Sequence, residues 1–440
     1  MVSVKNTPID FYTVEKLIKE SGIKNIGKAT IRELVRLVNM IESETGEKFI
    51  RMEMGVPGLQ PSEIGINAEI DALKRGVASK YPMIEGINDL KNEFARFLKL
   101  FMNINIKPQC CIPTVGSMQG GFAAFLMMSN VWKDRKTTLF IDPGFPVQKQ
   151  QHEVMKIPYE TFDVYNYRGE KLIEKLESYL SKGNISSIVY SNPNNPSWIC
   201  FTEKELKIIG EMANKYDVVV IEDLAYFAMD FRKDMSVPGQ PPYQPTVANY
   251  TDNYILLISS SKAFSYAGQR IGVIAVSDKL FERTFPDMVP VFGTDKFGYA
   301  LIYKVIYSLS AGVSHSVQYG LAAILKAVND GLYNFVSDVR QYGERAKAMK
   351  KAFVDNGFYI VYDRDENEPL ADGFYFTFAY PNFTADQLLE KLLYYGISAI
   401  SLTITGSERT DGLRACVSQV MPEQIPVLYE RLKTFNLHHS

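Results

Sequence analysis

The stretch Ser259–Gly272 sets three serines, a lysine and an arginine between two apolar runs, Tyr254–Ile258 and Ile271–Val276. Most lysines lay their stems along the surface and keep the amine in water. Lys262, leaving a buried run directly after Ser259, Ser260 and Ser261, is instead a candidate for covalent chemistry with a carbonyl group. Other apolar runs end on polar groups too. Gly116, Ser117 and Met118 follow Ile112–Val115 and open a helix, a start suited to an anion. Asp142, Pro143, Gly144 and Phe145 follow Leu139–Ile141, and a Ser-Asn-Pro-Asn-Asn-Pro segment containing Asn195 follows Ser187–Tyr190. Glu222, Asp223 and, about one helical turn on, Tyr226 follow Val218–Ile221.

These groups need a scaffold that brings strand ends together. From Cys110 onward, short Val/Ile/Leu runs alternate with helical stretches at Gln119–Val131, Glu170–Leu180 and Glu203–Tyr216. Continuous apolar strands separated by helices predict βα units and a mostly parallel sheet covered on both faces. Ligands of such sheets bind beyond the carboxyl ends of the strands, where the residues above stand. Upstream, Phe11–Glu20, Ile31–Glu44, Ile64–Arg75 and Ile87–Leu100 read as helices, and Phe49–Gly58 as a strand running into a Gly/Pro loop. The first helix is either an arm toward a partner subunit or an ordinary surface helix. Asp234–Asn253, rich in Pro, Gln and Tyr, reads as a surface insertion. After Thr284 the rhythm weakens. One long helical stretch, Ser314–Phe353, leads to a second domain with strands at Phe358–Tyr362, Gly373–Ala379 and Leu413–Val417 and a helix at Ala385–Tyr395.

A chain of 440 residues is too long for one core. A net charge of −2 offers no field for nucleic acid and no polybasic membrane patch, and no apolar run is long enough to span a bilayer. Cys110, Cys111, Cys200 and Cys416 have neither disulfide-framework nor zinc spacing and read as buried thiols of a reducing compartment, with no metal site. Met1–Asp10 lacks the apolar core of a leader, so the expectation is cytoplasmic.

The inventory at the strand ends suits pyridoxal 5′-phosphate. This cofactor needs a lysine for its aldehyde, a carboxylate for its ring nitrogen, donors for its phenolic oxygen, a flat partner and an anion cradle. The order of the motifs resembles the class I/II aminotransferases, fold-type I pyridoxal-phosphate enzymes, over about residues 30–425. The anchors are Gly55-Val56-Pro57-Gly58, Tyr81 and Gly86, Gly116-Ser117-Met118-Gln119, Asn192 to Pro196, Asp223 and Tyr226, Ser259 to Lys262, Gly268 to Gly272, and Leu413-Arg414.

The resemblance implies a large pyridoxal-phosphate-binding domain (59–325) built on a seven-stranded-type sheet sandwiched by helices. It also implies a smaller α+β C-terminal domain (326–440) completed by an N-terminal arm and segment (1–58). Lys262 would hold the cofactor and carry protons, Asp223 would pair with the ring nitrogen, and Asn195 and Tyr226 would reach the ring oxygen. Phe145 would cover the ring. Gly116, Ser117, Met118, Ser259, Ser261 and Arg270 would bind the phosphate. Arg414, with Gly55 and Asn195, would bind the α-carboxylate of an amino acid. Tyr81 would reach the phosphate of a partner subunit, which implies a homodimer.

The implied reaction is amino transfer between an L-amino acid, aspartate or aromatic, and a 2-oxo acid. A C–S lyase, decarboxylase or condensing enzyme would use the same residues, and a ligand-sensing module is the reading outside enzymes. The chain departs from the pattern at Ser197-Trp198, where the family has Thr-Gly, and at Leu224, where Glu is frequent. Phe285–Tyr307 matches little, and no arginine is assignable to a second carboxylate; Arg283 and Arg51 are the nearest in sequence.

Overall fold

A computed structural model describes residues 6–440; residues 1–5, within the Met1–Asp10 stretch that lacks the apolar core of a leader, lie outside them. The chain divides into two units. The larger comprises 59–194 and 200–339, the smaller Met1–Gly58, Asn195–Ile199 and Arg340–Ser440. The second junction therefore falls at 339/340, inside the helix Phe335–Asp355, rather than at 325/326.

The larger unit is built on seven strands: β1 (Cys111–Thr114), β2 (Thr137–Asp142), β3 (Tyr159–Asp163), β4 (Ile185–Ser191), β5 (Val219–Asp223), β6 (Tyr254–Ser259) and β7 (Gly272–Val276). Their order across the sheet is β1-β7-β6-β5-β4-β2-β3. Only β7 is antiparallel to its neighbours; the other pairings are parallel. The reversal matters because it sets the start of β7 level with the ends of β6 and β1: Gly272 lies opposite both Ser259 and Thr114. Every residue of β1, β2 and β4 to β7 is buried. Such strands need cover on both faces, as their unbroken apolar sequences predict.

On one face, Ala123, Ala124, Phe125, Met127 and Met128 of the helix Gly116–Met128 join Val219, Ile221, Ile255 and Leu257 in one core. That core also takes Phe285, Met288, Phe292, Phe297 and Leu301 from the unassigned 285–307 stretch. The stretch forms short helical turns, one of them a π turn at Leu301–Ile306, and leaves Tyr299, Tyr303 and Tyr307 partly exposed four residues apart. The Asp234–Asn253 insertion carries neither an α-helix nor a strand. It is tied down through Gly239 N–H to the Leu100 carbonyl (2.9 Å), Gln244 N–H to the Phe101 carbonyl (2.9 Å) and Thr246 to Glu222. The long helix expected over Ser314–Phe353 is two, His315–Asn329 and Phe335–Asp355. They part at Gly331, whose φ of +71° a residue with a side chain rarely adopts.

In the smaller unit, Ile400–Ser401, Leu413–Cys416, Tyr375–Ala379 and Tyr359–Ile360 form an antiparallel sheet in that order. Ile50–Arg51 pairs in parallel with Ile397–Ser398. The helix Phe11–Glu20 buries Val14 and Leu17 within this unit, and Phe11 stacks on Tyr394 with ring centroids 4.8 Å apart. No described helix is long and apolar enough to cross a membrane.

Candidate active site

The larger unit gathers an anion cradle from three elements. The helix Gly116–Met128 begins directly after β1, and no side chain caps its first turn, so the N–H groups there keep their donor capacity. Gly116 sits at φ +65°, and a β-carbon on it would lie 2.6 Å from Nη2 of Arg270. A β-carbon on Gly272 would lie 3.0 Å from the Ser117 nitrogen. The two glycines thus keep side-chain volume out of the place where a guanidinium and a helix N-terminus converge. Arg270 is in the left-handed region at φ +51°, and its Nη1 donates to the Ala267 carbonyl at 2.9 Å. This arrangement suits a phosphate: positive at a helix N-terminus, with a forked donor beside it.

Lys262 lies in a single helical turn, Ser260–Ala263, that β6 runs straight into. Ser259 Oγ accepts from the Ser261 N–H at 3.1 Å and starts the turn. Ser260 Oγ donates to the Ile271 carbonyl at 2.5 Å, fastening the turn to the chain entering β7. The loop carrying the half-buried Lys262 is therefore fixed at both ends.

Asp223 closes β5 and is buried. Among the described residues its partners are neutral: Gln148 Nε2 donates to Oδ2 at 2.8 Å and the Ala225 N–H to Oδ1 at 3.1 Å. Burial without a cation pushes its carboxyl up to about 6. A buried carboxylate in that condition calls for a positively charged or strongly donating ligand, and a protonated ring nitrogen is one. Phe145 is half-buried just before the helix Pro146–Met155, and Tyr226 is buried just past β5. Tyr81 is 94% exposed. The cradle and the acid together fit pyridoxal 5′-phosphate: an anion at one end, a ring nitrogen at the other, and a lysine for the aldehyde.

The remaining predicted residues belong to the smaller unit. Arg414 is buried, with Nη2 donating to the Glu53 carbonyl at 2.6 Å and Nη1 to Asn195 Oδ1 at 3.3 Å. Its guanidinium carbon stands 4.5 Å from the centroid of the Tyr375 ring, and its Nε has no partner among the described residues. Gly55 lies against Tyr375, whose Oη would be 2.2 Å from an added β-carbon. Asn195 is thus placed with Arg414, in the short 195–199 segment that leaves the larger unit. The two arginines near in sequence are committed elsewhere. Arg283 makes a two-point pair with Asp217, both bonds 2.7 Å, and Arg51 pairs with Glu53 (2.6 Å) and Glu42 (3.3 Å).

Two polar residues escape the motifs. Gln148 contacts Asp223, and only its place three residues after Phe145 on a Pro-initiated helix could have marked it. Glu222, next to Asp223, accepts from Thr246 Oγ1 at 2.5 Å and from the Val247 N–H at 3.2 Å, and burial pushes its carboxyl up to about 7.

Comparisons with known proteins bear on the family and the fold. The family described as aminotransferase class I and II matches residues 47–432. A probable aspartate aminotransferase of Methanocaldococcus jannaschii is 24% identical over 351 residues, 79% of this chain and 84% of that one. An aromatic-amino-acid aminotransferase of Thermococcus litoralis is 25% identical over 59% of this chain, but that match spans only 64% of its own length. The solved alanine aminotransferase of Pyrococcus furiosus superposes with a TM-score of 0.75 at 18% identity, over 94% of this chain and 98% of that one. The aspartate aminotransferase of Thermotoga maritima gives 0.74 at 18% identity, over 96% and 99%. At these identities the superpositions speak to the fold.

Proposed function

Since the chain belongs to the class I and II aminotransferase family and is a pyridoxal-phosphate-dependent aminotransferase, we propose that it transfers the amino group of an aromatic L-amino acid to a 2-oxo acid. The bound cofactor supplies an electron-withdrawing ring that makes the Cα–H bond acidic. The chain's own residues do the rest. Arg414 takes the α-carboxylate, for which a planar two-point donor is suited, while Glu53 and Asn195 hold the guanidinium in place. Lys262 Nζ would take the Cα proton as a general base and, as a general acid, deliver it to the carbon of the cofactor's former aldehyde. Asp223 keeps the ring nitrogen protonated, Phe145 covers the ring, and Tyr226 and Asn195 serve the ring oxygen. The N–H groups of Ser117 and Met118, the hydroxyls of Ser259 and Ser261, and Arg270 hold the phosphate. The observation that carries this reading is Asp223: a buried carboxylate with only neutral partners among the described residues, in the same sheet as a cradle of glycines, a helix N-terminus and Arg270.

Aromatic donors are preferred over aspartate because Arg283 and Arg51, the arginines first considered for a side-chain carboxylate, are both neutralised by acids. The name of the Thermococcus litoralis relative points the same way. A half-reaction screen tests it: purified protein is mixed with single amino acids and the loss of the lysine-bound cofactor's absorbance is timed. Phenylalanine or tyrosine should react at least about tenfold faster than aspartate, the scale that one mismatched polar or apolar contact sets. Faster reaction with aspartate would overturn the preference, and accumulation of ammonia with no amine form of the cofactor would move the reading to a lyase.

The protein is further proposed to act as a cytoplasmic homodimer. Tyr81, 94% exposed, would reach the partner's phosphate, and Met83 and Tyr307 are exposed on the same unit. The four cysteines are buried and none is joined in a disulfide among the described residues, which fits a reducing compartment.

A further inference from the structure

One helix carries more of the site than its sequence announces. Phe145 caps Pro146–Met155, and Gln148 lies within its first turn, 8% exposed, with its side-chain nitrogen 2.8 Å from Asp223 Oδ2. No other side chain among the described residues donates to Asp223. One turn further on, His152 is wholly buried. Its Nδ1 lies 2.9 Å from the Gln148 carbonyl, and its Nε2 lies 2.9 Å from Thr138 Oγ1 on β2.

These contacts fix the protons. A carbonyl can only accept, so Nδ1 carries the hydrogen. Burial pushes the imidazole's pKa down, so the ring is neutral and Nε2 accepts from the Thr138 hydroxyl. Thr138 in turn receives the Ser187 hydroxyl of β4 at 3.2 Å. Phe125 and Phe140 close on the imidazole at 4.4 and 4.9 Å between ring centroids. The main chain at Gln148 is therefore held by a directed series, Ser187 to Thr138 to His152 to the Gln148 backbone carbonyl, while the side-chain amide faces Asp223.

We propose that Gln148 is a positioning residue for the transamination. Its side-chain amide, carried on a main chain that His152 and Thr138 anchor, sets the rotation of the Asp223 carboxylate toward the cofactor's ring nitrogen. It does so without charge. A cation at this place would compete with the ring for the carboxylate, whereas an amide leaves the full negative charge for the ring. The inference rests on the reading of Asp223 as the partner of that nitrogen.

The test compares Gln148→Met, which keeps the volume and removes the donor, with Asp223→Asn, both in the full-length protein resolved of cofactor and titrated with pyridoxal 5′-phosphate. Loss of one bond to a buried carboxylate should weaken cofactor binding by Gln148→Met about tenfold and lower kcat similarly, with the KM for the amino acid within about twofold. The midpoint of the bound cofactor's absorbance titration should move by about one pH unit, which a merely structural role would leave in place. Unchanged affinity and midpoint in Gln148→Met, with both lost in Asp223→Asn, overturns the role of Gln148 alone. Unchanged values in both variants overturn the reading beneath it. Should Gln148→Met fail to fold, Gln148→Glu serves. It sets a second carboxyl against the first, so cofactor binding should weaken further as pH rises from 6 to 8, and a flat profile would sink the proposal.

Discussion

Two neighbouring residues of β5 carry the same functional group into opposite halves of the larger unit. Asp223 shares a face with Val219 and Ile221, which pack with the helix Gly116–Met128. Glu222 points the other way, to Thr246 and Val247 of the 234–253 insertion, with Tyr190 beside it. Both carboxyls are buried, both lack a cation among the described residues, and burial raises both, to about 6 and about 7. What separates them is their setting. Glu222 takes the Thr246 hydroxyl and the Val247 N–H on one oxygen, Oε2, from a loop that it fastens to the sheet, and its Oε1 has no hydrogen-bond partner among the described residues. Asp223 takes one neutral donor on each oxygen and lies on the strand face that packs with the helix opening the anion cradle. A raised carboxyl therefore marks a functional site only where groups suited to a ligand stand near it.

The contrast breaks most visibly in activity. Asp223→Asn should lower kcat by about a thousandfold, because removing one partner of a buried charge pair costs about 3–5 kcal/mol. Glu222→Gln should leave kcat and cofactor affinity within about twofold, since the amide oxygen can accept from Thr246 and Val247 as the carboxylate does. Steady-state rates of the two variants, with cofactor loading measured by absorbance, decide it. If Glu222→Gln were as damaged as Asp223→Asn, the two faces would not differ in kind.

The same pair shows what could be read without coordinates. Lys262, Asp223, Arg270 and Arg414 sit in motifs whose residue types leave few other readings, and the sheet follows from unbroken apolar runs. Apart from the family resemblance, nothing in the letters Glu222-Asp223 says which acid lies on the face of the helix Gly116–Met128, because a strand buried on both faces lacks the alternation that would tell them apart. Gln148 and His152 were invisible for a related reason: their helix buries polar side chains, and its Pro-Val-Gln-Lys-Gln-Gln-His-Glu-Val-Met sequence shows no apolar stripe. The edge strand Tyr159–Asp163, Tyr-Glu-Thr-Phe-Asp, has no unbroken apolar run to announce it, as suits a strand whose first three residues are only half-buried. The placement of 195–199 in the smaller unit is a long-range matter that no local pattern records.

Stability should separate the faces by pH. With its carboxyl raised from 4.5 to about 7, Glu222 keeps its proton in the folded chain where the unfolded chain has lost it. Stability therefore falls as pH rises through that window, by about 3 kcal/mol for a shift of this size. Glu222→Gln has no proton to lose, so the gain of this variant over the parent should grow from near zero at pH 5 to its full value by pH 8. Urea unfolding at both pH values measures it, and an equal difference at the two would overturn the assignment.

The smallest effect isolates the loop contact itself. Thr246→Val removes the hydroxyl that Glu222 accepts at 2.5 Å and keeps the shape of a wholly buried side chain. At pH 8 the acceptor is a carboxylate, and losing a hydrogen bond to a charged group costs about 2 kcal/mol. At pH 5 the acid is neutral and the same deletion costs about 1 kcal/mol. The variant should thus be destabilised more at the higher pH, while cofactor affinity stays unchanged at both, because Thr246 serves only the face away from Asp223. A cost that is equal at the two pH values would mean that Glu222 keeps one charge state across the range. A loss of cofactor affinity would mean that the insertion's anchor and the cofactor's acid are coupled through the strand they share.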